Sequence, residues 1–271
     1  MHSLRKLAFP YLIWMSVLII FPTMIILILS VTDLNVFRLG AFEIQLSNFN
    51  VFNTAVFRGA LFNSIKFSSI ATLVSFLIGY PVAYFFANMK SQNKTLFVTL
   101  LIIPIWSNML LRIIAWEKLF YPDSILNMFG ISLDLIGKDI AIVIGMVSMY
   151  LPFMIFPIYS VLEKMDDDLI EASRDLGASK LQSFFKVTLP LSVSGIVSGV
   201  IMTLLPSMTA FALPARLSGG KTLLIGNLIE DYFMRTSNFN VGSLISIVLM
   251  IVMLVFYVII VRFDKEGETL I

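Results

Sequence analysis

The chain has 271 residues, a net charge of +2 and a mean hydropathy of +0.93. Charged residues make up only 13% of it, against about 25% in average soluble domains, which excludes an ordinary soluble globular fold. The small net charge argues against a dedicated nucleic-acid surface. The absence of cysteine excludes disulfides, thiolate nucleophiles and cysteine metal sites.

The charged residues are bunched, and six uncharged runs of 17 to 29 residues lie between them. A helix needs about 20 apolar residues to cross the hydrocarbon core of a membrane. The runs therefore predict an all-α integral membrane protein with six transmembrane helices in a single domain, 1–271. We expect the helices near residues 8–31, 62–89, 95–116, 139–162, 190–213 and 241–262.

The first run follows Arg5 and Lys6, as the apolar core of a signal peptide would. It is longer than such a core, and no A-x-A cleavage site follows it. We therefore expect it to be retained as the first transmembrane helix.

The basic residues predict which side of the membrane each loop occupies, because Lys and Arg are retained on the cytoplasmic side. With six helices, ten basic residues share the side of the termini and seven occupy the opposite side. Both termini and the loop 163–189 are therefore predicted to be cytoplasmic. The ten are Arg5, Lys6, Lys90, Lys94, Lys164, Arg174, Lys180, Lys186, Arg262 and Lys265.

The later helices carry glycines and prolines that predict close packing and breaks. Gly195 and Gly199 form a G-x-x-x-G pattern, which lets helices approach closely. Pro206 and Pro214 predict that the fifth helix is broken, either within the bundle or beside a translocation path. Pro152 and Pro157 predict kinks in the fourth helix. Residues 222–234 have apolar positions at helical spacing and predict a short helix at the outer interface.

The polar loop 163–189 is predicted to form two short capped helices. Asp168 with Glu171, and Ser179 with Gln182, have the spacing of capping boxes. Gly177 lies between them, where a helix end favours a left-handed backbone.

Leu181, Phe184 and Phe185 share one face of the second short helix. Large apolar side chains on an exposed polar loop indicate a docking surface. The alternative is that the two rings rest on the protein's own helices or on the lipid interface.

The same loop resembles the cytoplasmic motif of ABC importer permeases, which reads E-A-A, three residues, G, nine residues, I-x-L-P. The matching residues are Glu171, Ala172, Ser173, Gly177, Val187, Leu189 and Pro190, with Ser173 and Val187 as the two conservative departures. In that family the paired helices insert into a groove on the nucleotide-binding subunit. The resemblance therefore implies a type I importer fold and an ATPase-coupling role for Glu171, Ala172, Gly177, Leu189 and Pro190, with Leu181, Phe184 and Phe185 beside them.

Further stretches are similar to the B-type permease of spermidine/putrescine ABC importers. These are FLIGYPVAYFFA, IPIWSNMLLRIIAW, YLPFMIFPIYSVLEKMD and KTLLIGNLI, and the similarity runs from about residue 60 to residue 262. It implies a bacterial inner-membrane subunit that is not itself an enzyme and binds no cofactor. The implied partners are a second, unlike permease, two ATPase subunits that bind ATP and Mg, an extracytoplasmic polyamine-binding protein and the lipid bilayer.

A polyamine is a flexible polycation, and the apolar runs contain aromatic rings but no carboxylates. Ring faces attract ammonium groups, so aromatic residues are candidates for a translocation path. The alternative for each ring is lipid-facing or interfacial packing. The candidate path residues are Trp106, Asn108, Tyr150, Phe153 and Phe211. Arg112, which is out of place in a cation path, is expected to have a structural role.

Three other functions compete with the polyamine importer. An ABC importer of iron, thiamine or an inorganic anion is the first. An anion importer would favour basic residues along its path, and Arg112, Arg216 and Lys221 keep this alternative open. An intramembrane enzyme is disfavoured because the runs hold no His, Cys or Asp pair. A channel or membrane scaffold has no use for an ATPase-docking motif. The chain has no G-x-x-x-x-G-K-[ST] phosphate-binding loop of its own.

Overall fold

The computed structural model describes residues 2–33, 43–89 and 94–263. Over these ranges the chain is helical and forms no β-strand; one bridge pairs Thr32 with Ile44. The α-helices are α1 (His2–Val31), α2 (Ala55–Ala87), α3 (Lys94–Trp106), α4 (Met109–Leu119), α5 (Asp139–Glu163), α6 (Asp167–Asp175), α7 (Lys180–Ser183), α8 (Leu189–Leu191), α9 (Val193–Met208), α10 (Ala212–Leu217), α11 (Ile225–Glu230) and α12 (Phe239–Val261). There are also 3-10 helices at Leu46–Asn53 and Ile125–Phe129, and π-helical turns at Phe184–Thr188 and Asp231–Arg235.

Four of the described helices, α1, α2, α5 and α12, are long and apolar enough to cross a membrane unbroken. Two bent pairs pass the same test: α3 with α4, bent by 92°, and Lys180–Leu191 with α9, bent by 61°. Counting each pair as one span gives six spans in the described residues. Successive spans then run in opposite directions. We call the end of the bundle that carries residues 163–189 the segment end and the opposite end the far end.

The centre of the bundle is α5, which packs against both α2 and α9. A Cβ at Gly195 would lie 3.0 Å from the carbonyl oxygen of Pro157, and one at Gly199 would lie 3.0 Å from that of Met154. Side chains at these positions would push the backbones of α9 and α5 apart. The G-x-x-x-G pattern is therefore a close-packing site, which confirms that interpretation.

The first helix lies at the edge of the bundle, on α12. Its C-terminal carbonyls are bonded by side-chain amides from elsewhere in the chain. Asn240 Nδ2 donates to the carbonyls of Leu29 and Thr32, and Asn48 Nδ2 donates to those of Ser30 and Thr32. Most of the described apolar side chains of α1 are exposed. The first helix is thus anchored at its far end and packs along α12, with most of its described apolar side chains exposed.

Several transmembrane helices differ from their predicted extents. Helix α1 begins at His2 rather than near residue 8. Helix α2 begins at Ala55 rather than near residue 62, because Thr54 caps it: the Thr54 hydroxyl accepts from the Phe57 amide at 3.2 Å. The third span, expected as one helix over 95–116, is broken after Trp106 and restarts at Met109. The fifth helix, expected over 190–213, is interrupted twice: by the bend before α9, and between Met208 and Ala212 as its prolines predict. The second interruption is called the break in the fifth span.

The short helix expected over 222–234 is present as α11 and the following π-helical turn. It does not lie on the outer interface, because Ile225 and Leu228 are buried in a cluster with residues of α2 and α12. A Cβ at Gly226 would lie 2.6 Å from the Thr209 carbonyl oxygen. Helix α11 is therefore packed directly beneath the break in the fifth span.

Candidate functional site

The polar segment 163–189, here called the coupling segment, is shaped by local capping. Helix α6 ends in a Schellman motif: the Gly177 amide donates to the Arg174 carbonyl and the Ala178 amide to the Ser173 carbonyl. Gly177 has a φ of +88°, which confirms the predicted left-handed position. Ser179 and Gln182 form the predicted capping box at the start of α7.

The start of α6 is capped differently from the prediction. Asp166 is the N-cap, and its carboxylate accepts from the Asp168 amide at 3.1 Å. Asp168, predicted to be the capping residue, lies inside the first turn. Three consecutive aspartates from Asp166 offer three possible helix starts, so local spacing alone does not select one.

The two predicted anchor rings lie in different surroundings. Phe184 packs edge-on against Tyr80 and Tyr84 of α2, with ring centroids 5.8 and 5.5 Å apart. It holds the coupling segment to the bundle, so for Phe184 the alternative to docking holds. Phe185 points outward and is 56% exposed.

Phe185 shares the outer surface of the segment with two leucines. Leu181 is 67% exposed and Leu176, which the sequence analysis did not single out for docking, is 90% exposed. Glu171, Ala172 and Pro190 are also exposed, while Leu189 packs against the core. We call Leu176, Leu181 and Phe185 the apolar patch. The signal for Leu176 was present in the sequence as a leucine directly before a helix-ending glycine.

A hydroxyl pair joins the two short helices. Ser173 Oγ donates to the Ile170 carbonyl at 2.8 Å and lies 2.7 Å from Ser183 Oγ, which is buried. Ser173 is one of the two departures from the family motif. The departure therefore adds a polar contact between α6 and α7.

The coupling segment continues into the fifth span through a π-helical turn. Pro190 has no amide hydrogen, so the regular bond to the carbonyl four residues earlier is lost. After the 61° bend, Ser192 Oγ lies 2.9 Å from Tyr80 Oη. Tyr80 thus contacts both the base of the coupling segment and the start of α9.

A polar cleft of about 390 Å³ separates the coupling segment from the ends of α2, α3 and α5. In its wall, Lys94 Nζ lies 3.2 Å from Glu163 Oε1 and donates to the Ala87 carbonyl at 3.0 Å. Tyr159 donates to the same carboxylate oxygen of Glu163. Glu171 and Arg174 of α6 line the opposite wall. The sequence analysis missed this cluster because its members come from three different helices.

The break in the third span contains two predicted path residues. Asn108 caps α4: its side-chain oxygen accepts from the amides of Leu110 and Leu111 at 2.9 and 3.3 Å. The polar side chain of Asn108, which lies within an apolar run, is therefore bonded to the first turn of the helix that it caps. The side chain of Trp106, the last residue of α3, is 87% exposed.

The break in the fifth span holds Phe211, which is 47% exposed. Phe211 and Thr209 line an apolar cavity of about 340 Å³ together with α11 and α12. Phe153 lines a different groove, of about 170 Å³, with Ile105 of α3 and Met202 of α9. Among the described residues, Phe211 and Phe153 therefore line different cavities.

Tyr150 and Arg112 lie between the two breaks. Tyr150 is 8% exposed, and its hydroxyl donates to the Pro206 carbonyl at 3.3 Å. Arg112 Nη1 donates to the Pro104 carbonyl at 2.8 Å, and Nη2 lies 2.7 Å from Met149 Sδ. Arg112 thus bonds a backbone carbonyl inside the bundle. Glu117, five residues further along the chain, pairs with Arg216 at 2.9 Å rather than with Arg112.

Several far-end carboxylates are engaged within the chain. Besides Glu117, ion pairs join Asp139 to Lys66, Asp134 to Lys138 and Asp231 to Arg235. These pairs are exposed and each stabilises the fold only weakly. Their arrangement nevertheless leaves fewer carboxylates for an incoming protein or cargo.

The fold and the site define a class of protein: a helical membrane protein with four to six apolar spans in its described residues and a capped polar segment at one end. Residues 75–265 match the family of binding-protein-dependent transport system inner membrane components. The chain belongs to this family, and it is accordingly a multi-pass inner-membrane transport subunit rather than an enzyme.

Relatives and solved structures agree with this assignment. The chain is 38% identical over 203 residues to the spermidine/putrescine transport system permease protein PotB of Haemophilus influenzae, covering 72% of this chain and 71% of that one. It is 41% identical over 191 residues to PotB of Escherichia coli K12, covering 68% and 70%.

Two solved structures have the same fold at low identity. A bacterial ABC transporter that imports alginate matches with a TM-score of 0.78 and 15% identity, over 98% of this chain and 96% of that one. The MetNI methionine ABC transporter matches with a TM-score of 0.56 and 17% identity, over 78% and 94%. The fold is that of type I ABC importer permeases.

Proposed function

We propose that this chain is one of two unlike permease subunits of an ABC importer for polyamines such as spermidine and putrescine. The observation that carries the proposal is its 38–41% identity to spermidine/putrescine permeases over about 70% of their length. The proposed partners are the second permease, two ATPase subunits and an extracytoplasmic polyamine-binding protein. ATP and Mg bind to the ATPase, and this chain supplies no cofactor site.

The coupling segment is the proposed contact with the ATPase. Its exposed apolar patch lies on short helices whose ends are closed by Gly177 and the Ser179–Gln182 box. Apolar side chains held on a rigid, capped scaffold suit insertion into a groove, because little conformational entropy is lost on binding. Movement of the ATPases would then reach the core through Phe184, Tyr80 and Ser192.

The cargo path is proposed to run past the two helix breaks. Irregular backbone at membrane depth is tolerated where it is buried or lines a cavity. Trp106 and Phe211 are the exposed aromatic residues at the two breaks. Each ring would attract a passing ammonium group by about 1–2 kcal/mol when dry, which is weak enough to release it.

An importer of iron, thiamine or an inorganic anion remains the second candidate. Its support in the sequence was Arg112, Arg216 and Lys221. Arg112 Nη1 donates to the Pro104 carbonyl and Arg216 pairs with Glu117, so both guanidinium groups are already engaged within the chain. The polyamine proposal is favoured for this reason as well.

Uptake measurements test the cargo directly. Cells lacking their own polyamine importers would express this chain with its partner subunits, or the same set with an ATPase that cannot hydrolyse ATP. We expect ATP-dependent uptake of labelled spermidine or putrescine that excess unlabelled thiamine, ferric iron, phosphate or sulfate does not reduce. Uptake of one of those competitors in place of polyamine would overturn the proposal.

A further inference from the structure

The two helix breaks are built in the same way. In each, a proline carbonyl lies in the last turn of a helix, where carbonyls lack an amide partner within that helix. Each carbonyl accepts a hydroxyl from the residue three positions later: Ser107 Oγ at 2.7 Å from Pro104 O, and Thr209 Oγ1 at 2.9 Å from Pro206 O. Each also accepts one donor from a different helix.

The donors from other helices meet on one turn of α5. Tyr150 of α5 donates to Pro206 O directly. Arg112 of α4 donates to Pro104 O through Nη1 and rests its Nη2 on Met149, the residue before Tyr150. Met149 and Tyr150 are 2% and 8% exposed, so this turn of α5 lies in the packed core. The supports of both breaks therefore converge on two adjacent core residues.

This arrangement explains an arginine in the middle of an apolar span. A polar side chain there is costly unless it is bonded. Arg112 is bonded, because it adds a donor from another helix to the Pro104 carbonyl, which also accepts from Ser107 at the break. Its guanidinium reaches the carbonyl and the sulfur at the same time because two terminal nitrogens diverge from one carbon. A lysine ammonium at this position can replace the bond to the carbonyl but not both contacts.

We propose that Arg112 and Tyr150 are positioning residues that hold the two breaks in a fixed relation to each other through α5. Trp106 and Phe211, the exposed rings beside the breaks, are then displayed as a pair, and a change at one break is transmitted to the other. The role in transport rests on the proposed polyamine path; the link between the breaks does not.

The link is tested with thiol reporters, for which the chain offers a clean background because it has no cysteine. Trp106→Cys reports on the first break and Phe211→Cys on the second. Each reporter is combined with Arg112→Gln, Arg112→Lys or Tyr150→Phe in the assembled complex, and its rate of reaction with a small thiol reagent is measured. Arg58→Gln and Tyr257→Phe are the matched controls, since Arg58 also donates to a backbone carbonyl but at an exposed helix start, and Tyr257 lies on α12.

The cross-effects decide the outcome. We expect Tyr150→Phe to change the reactivity of Trp106→Cys, and Arg112→Gln to change that of Phe211→Cys, each by about three- to tenfold, the effect of losing one buried hydrogen bond. Arg112→Lys should give an intermediate change, and the two controls should leave both reporters as in wild type. Changes confined to the nearer reporter would overturn the link. If Arg112→Gln does not assemble, Tyr150→Phe, which removes only a hydroxyl, carries the test.

Transport kinetics test the positioning role separately. With native Trp106 and Phe211, Arg112→Lys and Tyr150→Phe should lower the maximal uptake rate while the complex assembles and the ATPase is retained in normal amount. If the thiol reaction rates change but the uptake rate does not, Arg112 and Tyr150 have no role in transport. If the thiol reaction rates change as expected but the complex does not transport polyamines, the link between the two breaks is supported and the proposed cargo is wrong.

Discussion

At the scale of single residues, Gly177 is the position where backbone geometry has the clearest consequence. Its φ of +88° is strained for any residue with a side chain, yet a Cβ there would meet no atom within 4 Å. Gly177→Val should therefore cost about 1–3 kcal/mol through the backbone alone and alter the angle between α6 and α7. We expect insertion in the membrane to be normal and ATPase retention in pull-downs, together with transport, to fall.

Two controls isolate that effect. Gly130→Val introduces a similar strain, at a φ of +75° and with open space around it, but at the far end. It should leave ATPase retention unchanged. Gly177→Asn should be close to wild type, because asparagine tolerates the left-handed region. Wild-type retention and transport by Gly177→Val would show that the coupling assignment is wrong.

Trp106 provides a second test at this scale. If its exposed ring contacts the cargo, Trp106→Ala should remove about 1–2 kcal/mol of attraction, equivalent to about a 5- to 30-fold rise in the KM for polyamine uptake. Trp14→Ala is the matched control, because Trp14 of α1 is also largely exposed, at 64%. Equal KM values for wild type and Trp106→Ala would identify Trp106 as a lipid-facing residue.

At the scale of elements, the coupling segment has an inner and an outer side that mutations should separate. Phe185→Ala removes an exposed ring and should reduce ATPase retention without changing the thermal stability of the chain. Phe184→Ala removes packing against Tyr80 and Tyr84, and should destabilise the chain by about 1–3 kcal/mol. Thermal unfolding in detergent and ATPase pull-down, measured on both variants, distinguish the two roles. The inner and outer assignment fails if both variants behave alike.

The capping box at the start of α7 provides a finer test of the same element. Ser179→Ala removes the acceptor for the Gln182 amide and should cost about 1 kcal/mol of local helix stability. Ser179→Asp, an equally good N-cap, should restore it. ATPase pull-down as a function of salt concentration measures the difference. If Ser179→Asp retains no more ATPase than Ser179→Ala, the N-cap of α7 has no part in presenting the apolar patch.

At the scale of the whole molecule, the remaining prediction is the orientation of the chain in the membrane. The charge distribution puts the coupling segment in the cytoplasm, and the far end must then face outward. In intact cells, Ala178→Cys should resist an impermeant thiol reagent and Ser132→Cys, at an exposed far-end position, should react with it. The reverse labelling pattern would invert the topology and separate the coupling segment from a cytoplasmic ATPase.

The sequence by itself determined the features that depend on neighbouring residues. Uncharged runs mark the spans because a membrane interior excludes charge over a whole helix length. The left-handed turn at Gly177, the Ser179–Gln182 box and the Gly195–Gly199 contact surface follow from residues within four positions of one another. The motif around Glu171 also led directly to the family.

Only the tertiary structure decided the features that join distant residues. Pro104, Ser107 and Asn108 have the composition of a helix end and a new N-cap, but an apolar run without charge conceals the break. The break is supported by Arg112 and Met149, which are 37 positions apart, and its counterpart by Tyr150 and Pro206, 56 apart. Phe184 is turned inward because Tyr80 and Tyr84 lie beneath it, about 100 residues earlier in the chain. Periodicity reports which faces of a helix are apolar, but which partner covers a face depends on how the helices pack.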